Sequence, residues 1–392
     1  MKKTIYFIVT LLWTTSALAQ RSVEFVLKSI EASNTTLVAL KQQVEVEKTG
    51  SRTGIYLTNP EVEFNYLWGS PGEIGDRKDL NIMQSFDFPT AYHYKRLIAD
   101  GKATQAELQY AVQRKSLMQQ ARKVCIDLVY RNALKSELDR RLQHAQNIAR
   151  AYKSKYDKGE ANILEHNKAQ LNMLNAQKVS ESNNIEREAL LSELTRLNGG
   201  KVILLSDTTY DAYLLPTEFE QWYIQAETNN PALQHLSQEI ELSRKKVKLS
   251  KALSLPKFSA GYRSERVLGT TFQGIGAGIS IPLWENKNTV KYAKAQTLAL
   301  QITEFDAKLQ FYNTMKIQFS KVKNLQSMVA DYRKVLQSIN SSDLLQKALE
   351  KGQISLIEYL MELTLYYDAV NCTLESERDM QYAVSELTQW EK

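Results

Sequence analysis

Two hydrophobic rhythms alternate along this chain. In residues 61–68 (EVEFNYLW), Val62, Phe64, Tyr66 and Trp68 fall on one side and Glu61, Glu63 and Asn65 on the other. That period of two predicts a half-buried strand. Residues 80–88 repeat it, with Leu80, Ile82, Phe86 and Phe88 opposite Asn81, Ser85 and Asp87. The linking GSPGEIGDRKD is rich in turn formers, so the pair predicts a hairpin. A second hairpin is predicted downstream. Phe258, Ala260 and Tyr262 alternate with Lys257, Ser259 and Arg263, and over 272–281 Ile275, Ala277, Ile279 and Ile281 stand opposite Gly274, Gly276 and Gly278. Each strand has about 8–10 residues, a length that crosses a bilayer at a tilt. Tyr66, Trp68, Phe86, Phe88, Tyr262, Phe272 and Trp284 are the aromatics near strand ends, where interfacial girdles sit.

Elsewhere the rhythm is helical. Leu138, Leu142, Ala145, Ala149, Tyr152 and Tyr156 are spaced 4-3-4-3-4, and Leu117, Ala121, Val124 and Leu128 are spaced 4-3-4. This is a coiled-coil seam, interrupted between the two runs by Arg131 and Lys135. The helix breakers agree. No proline lies between 90 and 215 or after 282; only Gly159 interrupts 102–198 and only Gly352 interrupts 279–392. Proline costs about 3 kcal/mol and glycine about 1 kcal/mol inside a helix. The voids therefore predict helices over 91–158 and 285–350, with returning helices over 162–198 and 355–390. The first would be roughly 100 Å long.

The whole pattern occurs twice. Pro60 stands where Pro256 stands 196 residues on, and the same offset aligns Asn34-Thr35-Thr36-Leu37 with Asn230-Pro231-Ala232-Leu233. Past the hairpins the offset is 193: YDKGEANILE around Gly159 maps onto LEKGQISLIE around Gly352, and SELT at 192–195 onto SELT at 385–388. A period this long indicates a pseudo-two-fold unit rather than a solenoid of short repeats. The expected organisation is a first repeat at 20–205 and a second at 206–392, each a short helix, hairpin, long helix and returning helix, together one intertwined unit.

Residues 1–19 read as a signal peptide. Lys2 and Lys3 precede the apolar IYFIVTLLW, and Ala17-Leu18-Ala19 offers a cleavage site before Gln20. No Cys follows that site, so the expected product is exported without a lipid anchor. Beyond residue 20 no run approaches the roughly 18 apolar residues of a membrane helix. Entry into a membrane would have to use the strands. The net charge is +6 over 392 residues, which singles out neither nucleic acid nor an acidic partner.

Four strands cannot close a barrel, and open edges are tolerated neither in water nor in lipid. Three copies would supply twelve strands, an even number within the range of outer-membrane barrels. They would also surround one axis with long helices. The expected fold is thus mainly α with a small β part: an internally duplicated chain whose coiled-coil helices form a trimeric α-barrel continuous with a 12-stranded transmembrane β-barrel. A soluble periplasmic coiled-coil scaffold is the alternative of another class.

The ordered set of features resembles the TolC outer-membrane efflux family. The resemblance is carried by NNPALQHLSQEIELSRKKVKLSKALSLPKFSAGY, by GIGAGISIPLW, and by the turns Tyr156-x-x-Gly159 and Leu349-x-x-Gly352, followed by Glu165 and Glu358. It covers about 21–392 and implies a homotrimer in the outer membrane that extends into the periplasm. It further implies a periplasmic adaptor (membrane fusion protein) and an inner-membrane pump as partners, with outer-membrane lipid around the barrel. The implied function is a passive exit duct for small-molecule drugs or metal cations. The exit duct of a type I protein-secretion system is the alternative.

The resemblance assigns adaptor docking to the turns Lys158-Gly159-Glu160-Ala161 and Lys351-Gly352-Gln353-Ile354. A closing arginine frequent in the family at the second turn is replaced here by Ile354. Glu165 and Glu358, with Glu362 one helical turn on, are candidates for a carboxylate constriction, since like charges held close resist closure and favour cations. Cys125 and Cys372 lie at different heights along the predicted helices, so no disulfide is expected and both are read as buried helix positions. His93, His144, His166 and His235 show no ligand spacing, and no metal, cofactor or catalytic site is predicted. GIGAGI is followed by Ile-Pro-Leu-Trp rather than a helix, which reads as strand, not as a phosphate loop.

Overall fold

The computed structural model describes residues 22–70, 74–338 and 341–391. The expected signal peptide at 1–19 lies outside the described residues. In chain order the elements are α1 (Val23–Ser33), α2 (Thr35–Ser51), β1 (Glu61–Leu67), β2 (Arg77–Phe86), α3 (Pro89–Asp157) and α4 (Ile163–Leu197). The same order then recurs: α5 (Phe219–Thr228), α6 (Pro231–Leu253), β3 (Lys257–Val267), β4 (Thr270–Ser280), α7 (Thr289–Ser338), α8 (Ser341–Glu350) and α9 (Leu356–Thr388). Each half opens with two short helices, where the pattern predicts one. The first pair divides at Asn34, whose backbone is extended and whose buried side-chain amide donates to Leu197 O at 2.7 Å. The second divides at Asn230, which caps the Ala232 N–H at 2.9 Å just ahead of Pro231. The helix predicted over 285–350 corresponds to α7 and α8; residues 339–340 lie outside the described residues.

The chain packs as two compact units, each drawn from both halves. Among the described residues, one comprises 22–35, Met118–Leu214 and Val322–Ser385; the other comprises Thr36–Leu117, Leu215–Lys321 and 386–391.

The second unit holds the sheet, a four-stranded antiparallel meander in the order β1-β2-β3-β4. Directly paired residues share a face, so the register extends the alternation of each strand across the sheet. One row is Val62, Ile82, Tyr262 and Ile275; the adjacent row on the opposite face is Glu63, Asn81, Arg263 and Gly274. The apolar row is exposed, from 37% at Ile82 and Tyr262 to 94% at Ile275. Gly261 is required by close approach, because a Cβ there would lie 2.2 Å from Ile82 O. The β3–β4 turn uses positive φ at both Leu268 and Gly269, the geometry of a tight hairpin. The helical part of this unit is stapled by aromatics. Phe219 contacts Tyr312 and Phe319, Tyr223 contacts Phe311, and Phe311 meets Trp390 edge to face at 5.2 Å.

The first unit is a helical bundle built from α1, α4, α8, α9 and the adjoining parts of α3 and α7. Its α3 stripe is continuous where the sequence pattern shows a break. Tyr130 and Leu134 are buried and pack with Leu138, so the seam passes Arg131 and Lys135 through a run of four-residue steps. Arg131 turns aside, its guanidinium 3.5 Å from Asn183 Oδ1 on α4. The cysteines divide. Cys125 is fully buried, and burial pushes its thiol up to about 12. Cys372 is exposed, against expectation, because the buried stripe of α9 passes through Thr373, one position on.

Candidate functional site at the helix reversals

Both predicted turns are double caps made entirely of local chemistry. Gly159 has φ +74° and Gly352 φ +68°. At the first, Gly159 N donates to Tyr156 O at 2.9 Å and Glu160 N to Lys155 O at 2.8 Å; at the second, Gly352 N donates to Leu349 O at 3.1 Å and Gln353 N to Ala348 O at 2.9 Å. These pairs are Schellman closures, which satisfy carbonyls left open at a helix end. Three residues past each glycine a new helix is capped. Asn162 Oδ1 accepts from Glu165 N at 2.9 Å while Asn162 N donates to Glu165 Oε2 at 3.0 Å. Ser355 and Glu358 form the same reciprocal box, at 2.8 Å and 3.2 Å.

Glu165 and Glu358 therefore occupy equivalent positions for a structural reason: each is the third residue of a capped helix. The Ser355 backbone N–H, followed by its hydroxyl, holds the Glu358 carboxyl below the usual carboxylate range. The capping pattern Asn/Ser-x-x-Glu is visible in the sequence, but Asn162 and Ser355 were not among the predicted site residues. Glu362 stands apart from both boxes, on a groove of about 580 Å³ lined by Tyr332, Val335, Leu344, Leu365 and Tyr366.

The loop residues also divide. Lys158, Gly159, Glu160, Lys351, Gly352 and Gln353 are exposed, whereas Ala161 and Ile354 are half-buried and pack on the core of Ile148, Tyr152, Ala169, Leu356, Tyr359 and Leu363. Ile354 thus makes an apolar contact at the second turn.

Behind the second turn lies a polar cluster absent from the sequence reading. His144 on α3 meets Tyr359 through Nε2 at 2.8 Å and Tyr367 through Nδ1 at 3.5 Å. Arg141, one turn earlier, stacks its guanidinium 4.2 Å from the Tyr367 ring centroid and donates to Tyr367 O at 3.4 Å. Burial pushes His144 below the usual imidazole range and Tyr359 above the usual phenol range. The two helices involved are joined by no sequence signal, since His144 and Tyr359 lie 215 residues apart.

Six of the seven predicted strand aromatics lie at or just past strand ends, whereas Tyr262, expected there too, is the middle residue of β3. Phe86 stacks on Phe258 at 5.9 Å, and Phe88, just past β2, closes on the same ring at 6.2 Å. Tyr262 donates to Gln273 at 2.8 Å and Tyr66 bonds Asp76. Trp68 and Trp284 lie beyond the strand ends and are exposed. Phe272 differs from the rest: it pairs with Glu265, on the polar and glycine-rich face.

No family model matches the chain, and no curated protein matches it. Solved structures do. CusC, described for its folding and transmembrane channel formation, gives a TM-score of 0.79 at 12% identity over 95% of this chain and 92% of its own. The Campylobacter jejuni CmeC outer membrane channel gives 0.74 at 14% identity over 99% and 92%. The open state of the Neisseria gonorrhoeae MtrE outer membrane channel gives 0.71 at 13% identity over 94% and 88%. The chain has the TolC-type outer-membrane channel fold. The likeness runs along almost the whole length of this chain and of each of these channels. Among the described residues no helix is long and apolar enough to cross a membrane.

Proposed function

We propose that three copies of this chain form an outer-membrane exit duct, with the sheets closing a twelve-stranded barrel and the helices a periplasmic tube. The observation that carries this reading is the incomplete sheet. It exposes a continuous apolar face, and β1 and β4 leave their outer edges unpaired within one chain. Such a sheet is stable in a bilayer only when closed by further strands. β3 and β4, at 11 residues each, would span about 26 Å when tilted by 45°. That matches the apolar band of roughly 25 Å on outer-membrane barrels.

The duct performs no chemistry in this reading. It passes small-molecule drugs or metal cations driven by an inner-membrane pump, and a periplasmic adaptor docks on the exposed residues of the two reversals. Glu165, Glu358 and Glu362 ring the inner mouth, the first two also capping their helices. The likeness to outer-membrane channels supports the duct. The cargo is a proposal from the family resemblance, and so is the pump.

Membrane fractionation followed by reconstitution tests it. A detergent-extracted trimer from outer membranes that conducts ions in planar bilayers is the expected result. A soluble periplasmic species would overturn the reading and favour the coiled-coil scaffold.

A further inference from the structure

Six lysines crowd the place where α6 and α7 meet the sheet. The two helices run side by side and antiparallel. Ser243 Oγ and Thr297 Oγ1 are 2.7 Å apart at one level, and Asn286 Nδ2 donates to Leu253 O at 2.7 Å at the other. Between these ties lie Lys246, Lys248 and Lys251 on α6 and Lys291 and Lys294 on α7, with Lys287 in the loop from β4. All six are exposed, and among the described residues none of them has an ion-pair partner. The acids nearby are engaged elsewhere: Glu285 with Lys257 at 3.1 Å, Glu241 with Arg244 at 2.5 Å, and Asp87 with Lys95 at 2.9 Å. The three α6 lysines span five residues, about 8 Å of helix. Lys248 and Lys251 share one side of α6, within about one Debye length of each other (about 10 Å in ordinary salt), whereas Lys246 stands on the other side. Such a cluster is self-repelling unless an anionic surface faces it.

The adjoining surface indicates what that anion is. The chain leaves β4 through Ile281, Leu283 and Trp284, which are 62%, 68% and 80% exposed. These residues continue the apolar face of the sheet directly into the lysines. Exposed tryptophan bordered by lysine is the composition of a segment at a membrane–water boundary. The level also fits, because headgroups begin where the apolar band of the sheet ends.

We propose that Lys248, Lys251, Lys287, Lys291 and Lys294, with Trp284 as their anchor, bind the anionic headgroups of phospholipids in the leaflet at the helical end of the sheet. The inference rests on reading the sheet as membrane-spanning. The phosphates would neutralise the lysines and fix the height of the sheet in the bilayer.

Bromolipid quenching of Trp284 tests the proposal. The full chain carrying Trp68→Phe is reconstituted in phosphatidylcholine vesicles containing a minor share of brominated phosphatidylglycerol or brominated phosphatidylcholine. Trp222 and Trp390 sit in the aromatic staple and supply an unquenched background. Phosphatidylglycerol is expected to be enriched beside Trp284 on the order of tenfold, since each lysine near an anionic surface strengthens association roughly fivefold. High salt and replacement of these five lysines by Gln should bring the two lipids to parity, whereas replacement by Arg should retain the preference. Equal quenching by the two lipids in the unsubstituted lysine background would overturn the proposal, as would a preference that survives Gln substitution or high salt. If the Gln variant does not reconstitute, the Arg variant and the salt series still decide. A change in oligomer mass on Gln substitution, without any lipid preference before it, would assign the lysines to a second copy and also overturn the proposal. Absence of quenching by either lipid would refute the membrane reading itself.

Discussion

Glu358 and Ser355 hold each other across the first turn of α9: the serine N–H reaches the carboxylate at 2.8 Å, and the glutamate N–H reaches the hydroxyl at 3.2 Å. The relationship separates two roles that the sequence leaves merged. Removing the hydroxyl in Ser355→Ala should cost about 1 kcal/mol, the usual loss for a helix N-cap. Glu358→Gln should be nearly neutral for folding, because glutamine also completes a capping box. If the carboxylates also form a ring in the trimer, Glu165→Gln with Glu358→Gln should change cation selectivity while leaving thermal stability close to the parent. Planar-bilayer recordings beside calorimetry check both. A selectivity that does not move would reduce the two glutamates to caps. The cap itself has a pH limit. The Glu358 carboxyl is held below its ordinary range, so its contribution is present above about pH 4.5 and is lost as pH falls through the lower folded value.

His144 gives the same end of the molecule a second, higher window. Burial disfavours its charged form, and Arg141 lies one turn away, while Tyr359 and Tyr367 face it from α9. A folded pKa depressed in this way means that the unfolded chain binds the proton first. Stability is therefore full above the unfolded value of about 6.5 and falls as the pH drops below it. Hydrogen-exchange protection factors in the first three turns of α9, corrected for the intrinsic pH dependence of exchange, should fall between pH 7 and pH 5. His144→Gln should flatten that dependence while leaving the loss below about pH 4.5 in place.

Much of this architecture is legible because helix breakers act locally. The helices predicted over 91–158, 162–198 and 355–390 are found at Pro89–Asp157, Ile163–Leu197 and Leu356–Thr388, and the glycines that delimit them close Schellman turns. Alternation likewise fixes which side of each strand is apolar. What does not show is anything decided by a distant partner. Asn34 breaks its helix by bonding Leu197, Tyr130 and Leu134 are buried although the residues beside them are basic, and Cys372 misses the buried stripe by one position. The His144–Tyr359 bond joins positions 215 residues apart and leaves no local trace.

Three left-handed glycines should respond differently to alanine. At Gly159 and Gly352 an added Cβ meets nothing within 4 Å, so Gly→Ala should cost only the backbone strain, roughly 1–2 kcal/mol each. At Gly199, φ is +67° and the Cβ would lie 2.3 Å from Ser33 O, which must move. Gly199→Ala should therefore destabilise clearly more than either turn variant, and it should loosen the α1–α2 junction held by Asn34. Denaturation midpoints of the three variants decide the order; equal losses would show that the contact with Ser33 relaxes freely.

The last prediction concerns the surface that a second copy would cover. On α7, Leu298, Ile302, Phe305 and Leu309 are spaced 4-3-4 and are 59%, 62%, 72% and 50% exposed. A heptad seam left open to this extent is an unpaired coiled-coil face. Phe305 carries the largest side chain in it and contributes little to its own unit, so Phe305→Asp should leave the fold of the single chain intact. Burying the carboxylate against apolar neighbours would cost several kcal/mol per interface unless it found a partner. The expected outcome is a loss of trimer on native gels and by light scattering in mild detergent, with helical circular dichroism preserved. Phe305→Leu should retain the trimer. A Phe305→Asp chain that remains trimeric would place the seam outside the subunit interface and return the question of closure to the sheet edges alone.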